Sequence, residues 1–225
     1  ETGADLRNAA LEAMYFAILL ITVYISGRFE QRWMIAALMA AVLGSAMYVM
    51  GFLGMDMVYR VIGALALTLL ISWKLKLNYA LGAIVGLLHD VLITLGLLAM
   101  MGKEIDLNII AALMTLVGYS LNDTIIVYDR IRENRALMGK KASFEELVNR
   151  SVNQSARRTL ITTITTVMAL GVLCIVAKLY GLDSIFTFAF PLMMGMISGV
   201  YTSLCVSTSA WMLWSERSPK SGKKA

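Results

Sequence analysis

Apolar residues in this chain come in blocks of about twenty, each closed by a short polar or charged break. A helix needs about 20 such residues to cross a bilayer. The blocks fall at roughly 9–27, 33–53, 57–73, 79–102, 107–128, 158–179 and 184–213. The third is the shortest and carries Arg60 near its start. Alternating segments of about ten residues, the mark of a transmembrane barrel, do not occur. The pattern therefore predicts an all-α, polytopic membrane helix bundle of about seven transmembrane helices.

The polar breaks set the orientation. Sixteen Lys and Arg fall on 28–32, 74–76, 129–158 and the tail after 214. Four, namely Arg7, Arg60, Lys103 and Lys178, fall on the other side. Basic residues collect on cytoplasmic loops. The expected path thus starts outside and ends in the cytoplasm, as a multi-pass membrane protein. It divides into a periplasmic lead-in (1–8), a first span (9–27), a helical hairpin (33–76) and two spans (79–128). A cytoplasmic connection (129–157), two further spans (158–213) and a basic tail (214–225) complete it.

Composition agrees. The chain is 59% hydrophobic and 16% charged, with a mean hydropathy of +0.72, whereas soluble domains are about a quarter charged. The net charge of +5 follows from topology, with some attraction to anionic membrane lipids, and calls for no nucleic acid. Cys174, Cys205 and a single His make no metal set, and no cofactor is implied. The opening ETGADLRNAALEA is polar and is not a signal peptide. Residue 1 is not Met, as in a fragment of a longer chain. In the long basic connection, Ser143 followed by Glu146 forms a capping-box pattern. A short amphipathic helix over about 143–155, lying at the membrane surface, is expected from it.

Ionisable groups inside the apolar blocks are the candidate chemistry, because they are costly there and are retained for function by default. Asp123 lies about six residues from the end of its block, roughly 9 Å deep at 1.5 Å per residue. Asn122 and Thr124 flank it, and Ser120 is near. Arg158 opens the sixth block, followed by Thr159, Thr162, Thr163 and Thr166 as one polar stripe. Asp123 and Arg158 enter from the same side at similar depth. His89 and Asp90 form a further pair, with Asp90 about 12 residues into its helix, near the midplane. Adjacent helical residues diverge by about 100°, so His89 and Asp90 face different neighbours. Each group also has a plainer role open to it: a packing hydrogen bond for Asp123, His89 and Asp90, and a positive flank for Arg158. Gly195, Gly199 and Ser203, four apart, form a small-residue stripe for close helix packing, and Gly82 and Gly86 repeat the spacing.

Several stretches together resemble the SecF family, the smaller membrane subunit of bacterial SecDF protein-export complexes in the RND superfamily. They are RFE at 28–30, LLHDVLITLG at 87–96, and EIDLNIIAALMTLVGYSLNDTIIVYDRIREN at 104–134. NRSVNQSARRTLITTITT at 149–166 and GMISGVYTSLCVSTSA at 195–210 complete the set. The resemblance implies a non-enzymatic export subunit of the bacterial cytoplasmic (inner) membrane, working with SecD, the SecYEG channel with its associated export factors, and a translocating polypeptide. Protons are the implied coupling ion, with Asp123 and Arg158 as the relay. Asn122, Thr124, Thr162, Asp90 and His89 would form a secondary polar path. Two departures stand out. The family's first helix and periplasmic domain lie outside this sequence, and 33–76 reads as an added hairpin. Alternatives are a proton-coupled small-molecule exporter subunit of the RND type, an intramembrane serine protease using Ser120 and His89, and a purely structural assembly subunit.

Overall fold

The computed structural model describes residues 2–138 and 143–217. The described residues form α1 (Thr2–Glu30), α2 (Trp33–Phe52), α3 (Met57–Lys74), α4 (Asn78–Met100), α5 (Leu107–Met138), α6 (Phe144–Leu179) and α7 (Asp183–Tyr201). A π-helical turn (Thr202–Val206) carries α7 into α8 (Ser207–Arg217). Among the described residues, seven helices are long and apolar enough to cross a membrane, counting α7 to α8 as one. Each coincides with one of the seven apolar blocks. Lys140, Lys141, Lys220, Lys223 and Lys224, which entered the orientation argument, lie outside the described residues.

Helix ends follow local chemistry. Asp56 caps α3 by accepting from the Val58 N–H at 2.9 Å, and Asp106 caps α5 through the Ile109 N–H at 2.8 Å. Ser143 caps α6 by accepting from the Glu146 N–H at 3.1 Å, as the capping-box pattern requires. The turns after α2, α4 and α6 place Gly54, Gly102 and Gly181 at φ of 74°, 65° and 67°. Such left-handed closing residues favour glycine. At the opposite end of the bundle Gln31 and Lys76 adopt the same region, with φ of 56° and 57°.

Two expectations change here. The lead-in from residue 2 is already the start of α1. The separate surface helix at 143–155 does not exist as such, because these residues are the first turns of a continuous 36-residue α6. Its apolar face has a partner in the bundle rather than in the membrane surface. Leu147 and Val148 are buried in the main core cluster with Trp211, and Asn134 of α5 donates to Ser151 and Gln154, both at 2.9 Å.

The helices pack as two groups. α1, α2 and α3 form one, α5, α6 and α7 the other, and α4 touches members of both. At the basic end the core is aromatic: Tyr79 stacks on Phe29 and meets Tyr128 and Trp211, with ring centroids 5.2–5.3 Å apart. At the other end Leu98, Leu113, Leu116, Leu170, Leu192 and Met196 fill the space among α4 to α7. Exposed aromatics ring the α2–α3 hairpin at both ends, Trp33 and Trp73 at one, Tyr48, Phe52 and Tyr59 at the other. That is the distribution of membrane-interface belts.

α4 and the α7–α8 helix meet along a ladder of small residues. A Cβ on Gly195 would lie 2.8 Å from Thr94 Oγ1, and one on Gly199 3.5 Å from Asp90 Oδ2. One on Gly86 would lie 3.3 Å from Thr202 Cγ2, and one on Gly82 2.8 Å from the Ser207 carbonyl. Gly82→Ala therefore forces a backbone to move. It is expected to lower unfolding stability by about 1–3 kcal/mol. Gly96→Ala, which meets nothing within 4 Å in the same helix, is expected to be neutral or stabilising. Thermal unfolding of the two variants in one detergent checks the contrast, and equal losses would refute it.

Candidate functional site

Between the two apolar clusters lies a layer of polar side chains, contributed by α4, α5, α6 and the π turn. Asp90, Ser120, Asp123, Thr124, Thr159, Thr163, Thr202 and Ser203 are all buried in it. Above and below, Leu116 and Val127 on α5, and Met196 and Trp211 on the last helix, belong to apolar clusters. Hydrocarbon offers no hydrogen bonds, so these groups can be satisfied only within the protein, by one another or by backbone carbonyls.

One half of the layer sits among α4, α5 and the π turn. Ser120 Oγ donates a short hydrogen bond to Asp90 Oδ2. The Thr124 and Ser203 hydroxyls lie 3.3 Å apart. His89 Nδ1 meets Thr202 Oγ1 at 2.9 Å and lies 3.8 Å from Asp90 Oδ1. Asp90 is 1% exposed and His89 32%, so the carboxylate is sealed while the imidazole reaches outward. Thr94 Oγ1 donates back to the Asp90 carbonyl at 2.8 Å. The π turn is what brings Thr202 and Ser203 to α4 and α5 together, since a single π turn re-aims the side chains it carries. The stripe of Gly195, Gly199 and Ser203 faces this same place, with Gly199 lying against Asp90 and Ser120.

The other half sits between α5 and α6. Asp123 is 2% exposed and faces Thr163, but its Oδ1 has no hydrogen-bond partner. The hydroxyls of Thr159 and Thr163 are likewise buried without partners. The threonine stripe of α6 thus faces α5 along its length. Farther along, Tyr119 hydroxyl meets Thr166 Oγ1 at 3.1 Å and donates to the Thr162 carbonyl at 3.3 Å. Ser120, Asp123 and Thr124 share one broad face of α5 at i, i+3 and i+4. That face looks into both halves of the layer.

Arg158 makes no ion pair with Asp123. It is exposed, and the ion pairs among the described residues are Arg28–Asp129, Arg130–Glu133 and, when the imidazole is protonated, His89–Asp90. Consecutive residues are turned about 100° apart on a helix. With Thr159 directed at α5, Arg158 is carried to the open side of α6. Asn122 is also exposed, while Thr162 is partly buried and donates to the Arg158 carbonyl at 2.9 Å. Ser120 and His89, the pair a serine protease would need, are separately engaged, Ser120 with Asp90 and His89 with Thr202.

Sequence reasoning singled out neither Thr202 nor Glu30. The π turn leaves no pattern in the sequence, and Glu30 ends a span where a charge is expected. Yet Glu30 is partly buried, accepts from the Tyr79 N–H at 3.1 Å and so caps α4 from α1.

A multi-pass membrane bundle with carboxylates sealed at mid-depth is the class these features define. Comparison with known proteins narrows it. The model of the family "Protein export membrane protein SecD/SecF, C-terminal" matches residues 1–66 and 53–217, and the chain belongs to that family. Protein translocase subunit SecF of Calditerrivibrio nitroreducens is 41% identical over 155 residues, covering 68% of this chain and 49% of that protein. SecF of Alicyclobacillus acidocaldarius is 38% identical over 167 residues, covering 72% and 53%. A crystal structure of SecDF from Thermus thermophilus, a translocon-associated membrane protein, matches with a TM-score of 0.59 at 35% identity. The match covers 71% of this chain and 22% of that one. The chain spans about half the length of the curated relatives it matches.

Ser120→Ala leaves Asp90 Oδ2 without its donor inside the bundle. The expected loss is about 1–3 kcal/mol of stability, the cost of an unsatisfied buried polar group. Thr115→Ala removes an exposed hydroxyl that donates only to the Ala111 carbonyl and should change little. Thermal unfolding of both variants tests whether the layer holds the bundle together, and a neutral Ser120→Ala would show that it does not.

Proposed function

We propose that this chain is the membrane bundle of a SecF-type subunit, coupling proton flow through the membrane to late-stage protein export through the Sec channel. On this reading its partners are SecD, the SecYEG channel and the translocating polypeptide. The α2–α3 hairpin is an addition that leaves the path of the later helices unchanged.

Asp123 carries the reading. It is a carboxyl group within the NDTIIVYDRIREN segment, sealed from solvent, with one oxygen unpartnered and two unpartnered threonine hydroxyls on the facing helix. A permanent structural carboxylate would be paired or fully hydrogen-bonded, because an uncompensated buried charge is strongly destabilising. A group that takes up and releases a proton is left with spare bonding capacity. Arg158 enters as the second element of the switch. It lies exposed on α6, one residue from Thr159, and a rotation or shift of α6 would carry it toward Asp123. A guanidinium in contact favours an ionised carboxylate, and withdrawal into the apolar layer favours a neutral one. Proton loading and helix position are thereby coupled, each biasing the other.

The test uses the full complex with its partner subunit. Asp123→Asn keeps the size and polarity of the side chain but cannot carry a proton. Assembly and membrane insertion are expected to stay normal, and stimulation of export by the proton gradient is expected to vanish. Undiminished gradient-driven export by that variant would exclude Asp123 as the carrier.

A further inference from the structure

At the end of the bundle opposite the basic connection, α1, α2 and α3 leave a groove of about 370 Å³ between them. Its lining includes one cation, Arg60, and one anion, Glu12, with Phe16, Tyr48 and Phe52 as aromatic walls and Gly44 and Gly51 between. We propose that this groove binds the headgroup of an aminophospholipid such as phosphatidylethanolamine, with Arg60 taking the phosphate and Glu12 the ammonium.

Three observations lead there. First, Arg60 and Glu12 line the same space without forming an ion pair, and the buried Arg60 Nε has no hydrogen-bond partner. Opposite charges that share a groove and stay apart complement a ligand that carries both signs. A phosphate accepts several guanidinium hydrogen bonds, and a primary ammonium donates to a carboxylate in a way that a trimethylated one cannot. Second, the guanidinium lies on Gly51, where a Cβ would be 2.5 Å from Arg60 Nη1. The absence of a side chain at Gly51 is what leaves room for the cation. Third, Tyr48 and Phe52 are 80% and 88% exposed, and Tyr59 near the start of α3 is 67% exposed. Aromatic side chains at this density mark headgroup depth, so the groove opens where a lipid phosphate lies and acyl chains can run along the apolar wall of α2.

Native mass spectrometry of the full chain, released from nanodiscs of equal phosphatidylethanolamine and phosphatidylglycerol, tests this. The wild type is expected to retain phosphatidylethanolamine in preference to phosphatidylglycerol. Phosphatidylcholine substituted for phosphatidylethanolamine should remove the preference. Arg60→Gln should weaken retention of both lipids about tenfold, the scale of one charge-assisted hydrogen bond. Glu12→Gln should abolish the preference for the amine while leaving phosphatidylglycerol retention intact. Gly44→Leu serves as a block from the wall of α2, where a Cβ meets only Phe16 Cε1, at 4.0 Å. It should exclude lipid while thermal unfolding stays normal. Equal retention of the lipids by wild type, retention unchanged in all three variants, or a second polypeptide copy held in the groove would each overturn the proposal.

Discussion

Everything in this molecule is arranged around a constraint that hydrocarbon imposes: a polar group at mid-depth has no water to turn to. The protein meets it by gathering its two buried carboxylates and the hydroxyls around them into one layer, closed above and below by apolar clusters. Ser120 satisfies one oxygen of Asp90, Thr202 satisfies His89, and Thr124 meets Ser203. Close approach of the backbones is what lets such short side chains reach one another. That explains why Gly86, Gly195 and Gly199 stand where α4, α5 and α7 converge. Replacing any of them with a larger residue would separate hydroxyls from carboxylates as well as helix from helix.

Within that layer the bonding is uneven, and the unevenness is informative. The Asp90 half is knitted together by side-chain contacts across three helices. The Asp123 half holds a carboxyl oxygen and two hydroxyls with no hydrogen-bond partners, against one such atom, Asp90 Oδ1, in the Asp90 half. Both carboxylates sit on helices that share the same core. A hydrogen-bonded cluster therefore stands beside a group with more unused hydrogen-bonding capacity.

Much of this was legible in the residues. Seven blocks of apolar sequence became seven spanning helices, because length and hydropathy alone decide which segments can cross a bilayer. Asp123, Asp90 and the small-residue stripe were visible as polar or small positions in apolar surroundings, and Ser143 with Glu146 marked the start of α6. Three things were not legible. The continuity of α6 from Phe144 goes with the packing of Phe144 on Trp211, a contact far away in sequence. The exposure of Arg158 depends on the rotation of α6 about its axis, which periodicity constrains only to within a broad face. The pairing of Thr202 with His89 depends on a change of helical pitch that no local composition announces.

That change of pitch has a geometric meaning of its own. Positions 195, 199, 207 and 211 all meet α4, each against a residue near 94, 90, 86 and 82. On an unbroken α-helix sixteen residues advance the azimuth by about 160° beyond whole turns, so Trp211 would face nearly opposite to Gly195. A π turn absorbs one extra residue, which brings the net drift down to about 60°. The π turn thus acts as a phase correction written into the middle of the last helix. Straightening it would swing Trp211 out of the aromatic cluster and the Ser207 carbonyl away from Tyr128, while leaving the half above it in register. The polar layer and the aromatic end of the bundle are therefore held in step by five residues of backbone.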